Sequence, residues 1–141
     1  MNNQIYPCLW FDGNAKAAAD FYVSVFKNSR ILTDNPMVVI FEVNGFKIMG
    51  LNGGPHFNFN EAVSLVVNCD SQEEIDHYWE TLTSDGGKES MCGWLKDKFG
   101  FSWQIVPSNL GELMSDPDRA QRVMQAVMGM KKLDIEILQN A

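Results

Sequence analysis

The sequence predicts an α+β fold of two paired βαβββ modules, the first with a shortened second strand, followed by C-terminal helices. An internal repeat and the agreement of local signals within each copy carry this expectation. Residues 9–26 lie over residues 65–82 without a gap, so that Asp20 meets Asp76, Tyr22 meets Tyr78, Phe26 meets Leu82 and Asn14 meets Asp70. A second match follows at nearly the same offset. It sets Glu42 over Asp97 and Gly45-Phe46 over Gly100-Phe101.

The elements follow in order. IYPCLWF and AVSLVVN are β-branched or aromatic runs that end in turn-forming residues, and they read as strands. Asn14 is placed to cap a helix whose Ala18, Phe21, Tyr22 and Val25 share one face. In the second copy Ser71 and Glu74 form a capping box, and Ile75, Tyr78, Trp79 and Leu82 repeat the same spacing. That helix stops at Asp85-Gly86-Gly87. MVVIFEVN and FKIMGLN make a hairpin about Asn44-Gly45, and KESMCGWLKD and FSWQIVP are the corresponding strands of copy two. Only KNSRILTDNP separates the first helix from Met37, which leaves room for one short strand near Arg30 to Thr33.

Past Pro107 the chain turns helical. Asp116 caps, Pro117 takes the first helical position, and Ala120, Val123, Met124, Val127 and Met128 form a stripe that ends at Gly129. A last segment sets Leu133, Ile137 and Leu138 on one side, for packing on the chain's own core or a second subunit, with a ligand lid as the alternative. At 141 residues the chain suits one domain. Module one is expected at about 4–54, module two at about 60–107 and the helical tail at about 110–139.

Composition narrows the function. A net charge of −7 with scattered basic residues argues against nucleic acid and against anionic membranes. No apolar run approaches the ~20 residues of a membrane span, and the N-terminus has no secretory signal pattern, so a cytoplasmic location is expected. The three cysteines, Cys8, Cys69 and Cys92, form no CxxC pair and read as reduced, mostly buried thiols.

The runs PCLWFDGNAKAAADFY (residues 7–22), FEVNGFKIMGLNGGP (41–55), FNFNEAVSLVVNCDSQEEIDHYWETL (57–82) and CGWLKDKFGFSWQIVP with the tail to residue 139 carry a family resemblance. The chain resembles the PhnB-like branch of the glyoxalase/bleomycin-resistance, or vicinal-oxygen-chelate, superfamily. Its members often carry the label 3-demethylubiquinone-9 3-methyltransferase. The resemblance implies the paired βαβββ fold and a homodimer whose cup-shaped sites are built from two modules. The methyltransferase label gains nothing from the residues. The one Gly-rich stretch, GLNGGP, leads from a hairpin strand to another strand, not into a helix.

Metal-dependent members of that superfamily hold a divalent ion with His, Glu or Gln from the first and last strands of each module. Carried onto this chain, those positions are Pro7, Val63 (or Ala62), Met49 and Gln104. Three of the four cannot ligate a hard ion, so no metal and no cofactor are expected. His56 and His77 fall on the connecting loop and the second helix.

Leu9, Met49, Cys92, Trp94 and Gln104 are the candidate ligand-binding residues, and no catalytic residue is assigned. Gln104 stands in an apolar strand, where a buried amide needs a partner, either a ligand or a neighbouring side chain. Glu42 with Asp97 as an acid-base pair and Cys92 as a nucleophile are weaker alternatives to solvated or packed roles. Trp10, Phe57, Trp94 and Trp103 could stack a planar ligand or simply fill a core. The leading expectation is metal-independent binding of a small apolar or aromatic molecule in a dimeric cup. The alternative is a lyase, isomerase or transferase acting on a small metabolite.

Overall fold

Alternating burial along short strands, with small residues on the facing helix, shapes the first half of the chain. The computed structural model describes residues 3–141. The chain divides into two compact units that meet between Phe59 and Asn60. In the first, β1 (Cys8–Phe11), α1 (Ala15–Val25), β2 (Arg30–Asp34), β3 (Val38–Val43) and β4 (Phe46–Asn52) follow one another. The sheet order is β1-β4-β3-β2, with β1 parallel to β4 and the other pairs antiparallel.

One face of this sheet lies under α1. Ala15, Ala18, Ala19 and Tyr22 of the helix and Val39, Phe41 and Ile48 of the sheet are wholly buried. The Tyr22 and Phe41 rings stack with centroids 6.1 Å apart. Removing side chains of this size from water stabilises the unit by roughly 1.5–3 kcal/mol each. Gly50 permits the close approach, because a Cβ there would stand 3.2 Å from the Ala15 Cβ. Leu9 pairs with Gly50 and so shares this helix-covered face.

The turn chemistry acts as the sequence predicts at Asn44 and Gly45, whose φ values of 49° and 78° suit a two-residue hairpin turn of the primed type. At the start of α1 the expectation needs correcting. Asn14 makes no side-chain cap, and Asn52 Oδ1 instead accepts from the Ala15 N–H at 2.9 Å.

The second unit repeats the plan with β5 (Ser64–Cys69), α2 (Gln72–Thr83), β6 (Lys88–Glu89), β7 (Trp94–Lys96) and β8 (Ser102–Pro107). Its sheet order is β5-β8-β7-β6, with β5 parallel to β8. Ile75, Trp79 and Leu82 of α2 are buried, as are Leu95, Trp103 and Ile105 of the sheet. Ser71 caps α2 by accepting from Glu74 N, while the Glu74 carboxylate reaches back to Asp70 N at 2.9 Å.

The expected shortening of the second strand falls on the other module. β2 runs over the five residues Arg30–Asp34, whereas β6 has two. Asn28, at φ 53°, turns the chain sharply after α1, so the brief connection still contains a strand. In the second module Asp85, at φ 54°, kinks the turn that leads from α2 into β6, and Cys92, at φ 63°, interrupts the chain between β6 and β7.

α3 (Leu110–Leu113), α4 (Pro117–Met128) and α5 (Ile135–Gln139) complete this unit. Leu113, Val123, Val127, Leu133 and Leu138 form their own core, against which Cys92 and Val106 pack. The tail therefore covers part of its own module, the first of the expected roles. Within it Leu138 is buried and Ile137 is 53% exposed, so the inward side chain is the second of the two candidates. Met124 and Met128 of the predicted stripe are also exposed.

Candidate functional site

Each sheet has a second face that its own helix leaves uncovered. In the second unit the pairing fixes which residues stand there. Trp94 is opposite Gln104 across β7 and β8, and Val66 is opposite Gln104 across β5 and β8. Paired residues in a sheet share a face, and residues two apart do the same. Ser64, Val66, Trp94, Lys96, Ser102 and Gln104 therefore form one patch. Val66 is 53% exposed, Trp94 and Gln104 are half-buried, and Ser102 is buried.

The patch has an apolar end and a polar end. Trp94 and Val66 flank Gln104 on either side. The Gln104 amide donates from Nε2 to Ser64 Oγ at 2.9 Å, which leaves its Oε1 without a hydrogen bond among the described residues. Lys96 reaches Glu61, and this contact holds the Glu61 carboxyl below the usual carboxylate range, chiefly through the hydrogen bond from the ammonium.

In the first unit the open face holds Cys8, Trp10, Val38, Ile40, Met49 and Leu51, set by the pairs Cys8–Met49, Trp10–Leu51, Ile40–Met49 and Val38–Leu51. It is apolar along its middle, and the same register adds Arg30, Glu42 and Lys47 at one end. Trp10 is fixed beneath the loop that follows β4. Its Nε1 donates to Gly54 O at 2.8 Å, and its ring meets Phe57 edge-on with centroids 4.8 Å apart. A Cβ on Gly53 would lie 2.3 Å from the Trp10 ring, so only glycine lets this loop fold over it. Cys8 is exposed at the rim, and partial desolvation pushes its thiol pKa up.

The five residues expected to bind a ligand thus separate. Trp94 and Gln104 come together as direct cross-strand neighbours. Met49 stands on the open face of the first sheet. Leu9 is 5% exposed on the face that α1 covers, where it serves packing. Cys92 lies in the loop before β7, donates its backbone N–H to Met130 O at 2.7 Å and packs on the tail core. Ser64 and Ser102 went unremarked in the sequence. The alternation Ser102-Trp103-Gln104 was their signal, since it sets two polar residues on one face of an apolar strand.

The weaker alternatives also find their places. Asp97 is 2% exposed and accepts from Phe99 N, Phe101 N and Trp103 Nε1, so it braces the β7–β8 turn. Glu42 pairs with Arg30 at 3.3 Å in the first unit. Trp103 is core, and His56 and His77 are exposed.

The donor set on these faces does not fit a divalent metal. The expected first-strand positions Pro7 and Val63 lie just outside β1 and β5, and the first open-face residues are Cys8 and Ser64. The open faces otherwise offer hydroxyls, amides, a thioether and one carboxylate, that of Glu42, which Arg30 already holds, and such a set binds hard ions poorly. Among the described residues no three His, Cys, Asp or Glu side chains gather where they could hold an ion.

Residues 3–106 match the family described as 3-demethylubiquinone-9 3-methyltransferase. The chain belongs to that family. It is a PhnB-like member of the glyoxalase/bleomycin-resistance superfamily. Among solved structures, the PhnB protein of Bacillus cereus is 31% identical, with a TM-score of 0.66 over 74% of this chain and 99% of that one. A protein of Pseudomonas aeruginosa is 22% identical, with a TM-score of 0.63 over 75% and 98% of the two chains. The FosX fosfomycin resistance protein of Listeria monocytogenes, solved with Mn(II) and sulfate, is 16% identical with a TM-score of 0.60 over 86% and 98%. The last two likenesses show the PhnB-like chain's fold and no more. None of the curated proteins matches it.

Proposed function

We propose that this PhnB-like chain binds a small apolar or aromatic molecule without a metal, on the open sheet faces, and that it works as a cytoplasmic homodimer. The observation that carries the reading is the pairing of Trp94 with Gln104 beside the half-exposed Val66. An indole and an aliphatic side chain supply contact area, and the amide between them supplies an orienting hydrogen bond, the usual make-up of a small-molecule site. Exposed Met124, Met128 and Ile137 on the tail supply apolar surface for a second copy. Three free cysteines fit a reducing compartment, and no helix among the described residues is long and apolar enough to cross a membrane. The family description names a methyl transfer, but the Gly-rich stretch at residues 50–54 runs into a loop and then β5, with no helix start to receive a nucleotide-like donor.

A thermal-shift panel tests the reading. Small aromatic compounds should raise the melting temperature, since a ligand at a hundredfold excess over its Kd stabilises by about 2.7 kcal/mol. Trp94→Ala should abolish the shift, and light scattering should give twice the chain mass. Saturable stabilisation by Mn, Ni or Zn that chelation reverses would overturn it, as would indifference to every aromatic compound.

A further inference from the structure

One buried group on the open face of the second sheet has no partner among the described residues. Ser102 is 1% exposed, and its hydroxyl makes no hydrogen bond to any of them. A buried polar atom without a partner is costly, and native chains keep few of them. Ser102 sits between Ser64 on β5 and Lys96 on β7, opposite both in register. The Lys96 ammonium contacts Glu61, three residues before β5 begins. Lys96 and Glu61 come from opposite sides of β8, so their contact bridges the sheet at the Ser102 end of that strand. The Lys96–Glu61 pair is therefore a strap beside Ser102.

Beneath and beside the strap, among the described residues, two hydroxyl donors and an ammonium stand against the Glu61 carboxylate and the unbonded Gln104 Oε1. The Ser64 hydroxyl accepts from Gln104 Nε2, which leaves its own hydrogen to give, and Ser102 has a hydrogen unassigned. The Lys96 ammonium adds a positive charge that, among the described residues, is paired with Glu61, whose side chain is 63% exposed. Two hydroxyl donors and an ammonium suit one kind of head group, a compact anion with two oxygens. Beyond them lie Gln104 and then Trp94 and Val66, apolar and partly open.

We propose that this patch takes an aryl or short alkyl monocarboxylate. Its carboxylate displaces Glu61 from Lys96 and accepts from the Ser64 and Ser102 hydroxyls, and its apolar body lies on Trp94 and Val66. The inference rests on the small-molecule reading above and narrows it to an anionic ligand.

Titration with benzoate, benzamide and benzyl alcohol, followed by calorimetry on the full chain, tests it. Benzoate should bind at least about tenfold more tightly than the other two, the size expected when a hydrogen bond to a charged group is lost. Ser102→Ala should weaken benzoate by a similar factor and leave benzyl alcohol alone. Since that variant removes an unpaired group, it should fold at least as well as the parent. Glu61→Gln, on an exposed side chain, should strengthen benzoate binding several-fold by freeing Lys96. Equal binding of all three compounds, unaffected by either variant, overturns the carboxylate inference and leaves the aromatic-site reading standing. Binding of none of the three, with no thermal shift from any aromatic compound, overturns both.

Discussion

Asp97 and Trp103, six residues apart and both buried, are joined by a 2.8 Å hydrogen bond from the indole Nε1 to the carboxylate Oδ2. The other oxygen accepts from the backbone of Phe99 and Phe101 at 2.9 and 3.1 Å. One carboxylate thus ties the β7–β8 turn to the core beneath α2, and it orients the strand that carries Gln104.

Asp97→Ala should therefore destabilise the protein by about 3 kcal/mol, because several buried donors lose their acceptor at once. Urea unfolding should show a lower midpoint with an unchanged slope. A loss under about 0.5 kcal/mol, the scale of surface substitutions, would contradict this role.

Leu138→Ala and Ile137→Ala should separate cleanly. Leu138 is wholly buried in the tail core and its truncation should cost about 2–4 kcal/mol, while Ile137 is half-exposed and should cost little. Equal effects would mean that the helix Ile135–Gln139 packs the other way round.

Gly93→Ala should loosen the tail. The residue has φ 81°, and a Cβ would stand 3.0 Å from Ile105 O and 3.1 Å from Leu133. Strain of this kind costs on the order of 1–3 kcal/mol, and hydrogen exchange of the amides at positions 92 and 93, which donate to Met130 O and Lys131 O, should accelerate. Unchanged protection there would refute the contact.

Thiol reactivity should follow burial. The Cys69 thiol is pushed up to about 12, first by burial and then by the charges of Glu74 and Asp70. At pH 8 an aromatic disulfide reagent should label exposed Cys8 first and reach Cys69 only as fast as the chain unfolds. Prompt labelling of Cys69 in the folded protein would be the contrary result.

Asp76 supplies a small acid-side dependence. The hydrogen bond from Lys132, then that from Gln72, holds its carboxyl below the usual value. Its contribution is complete above the unfolded carboxyl pKa, near 3.9, and fades as pH falls through the lower folded value. The pair is half-exposed, so the effect should stay under about 1 kcal/mol. The stability gap between the parent and Asp76→Asn should be constant from pH 7 to pH 5 and close at more acidic pH.

The order of strands and helices was legible in the sequence because alternation and helical spacing are local patterns. Which face of β1 is open was not, since Cys8, Leu9, Trp10 and Phe11 are all apolar and only the pairing of Leu9 with Gly50 decides it. The metal-equivalent position carried over from the family pattern, Pro7, is out of phase with the open face. Gln104 was legible as an amide in an apolar strand, and its partner Ser64 was one of the two options foreseen. The surroundings of Cys92 were not legible, because its contacts come from Met130 and the tail core, far along the chain.

Asn52 holds the amide of Ala15 with its Oδ1 and donates from Nδ2 to Pro36 O, so the start of α1 depends on a residue 37 positions downstream. The start of α2 is held by its neighbour Ser71. The second helix therefore carries its cap within its own segment, while the first gains one, worth about 0.5–2 kcal/mol, only when β4 is in place. Loosening β4 would thus fray the start of α1 and leave that of α2 untouched.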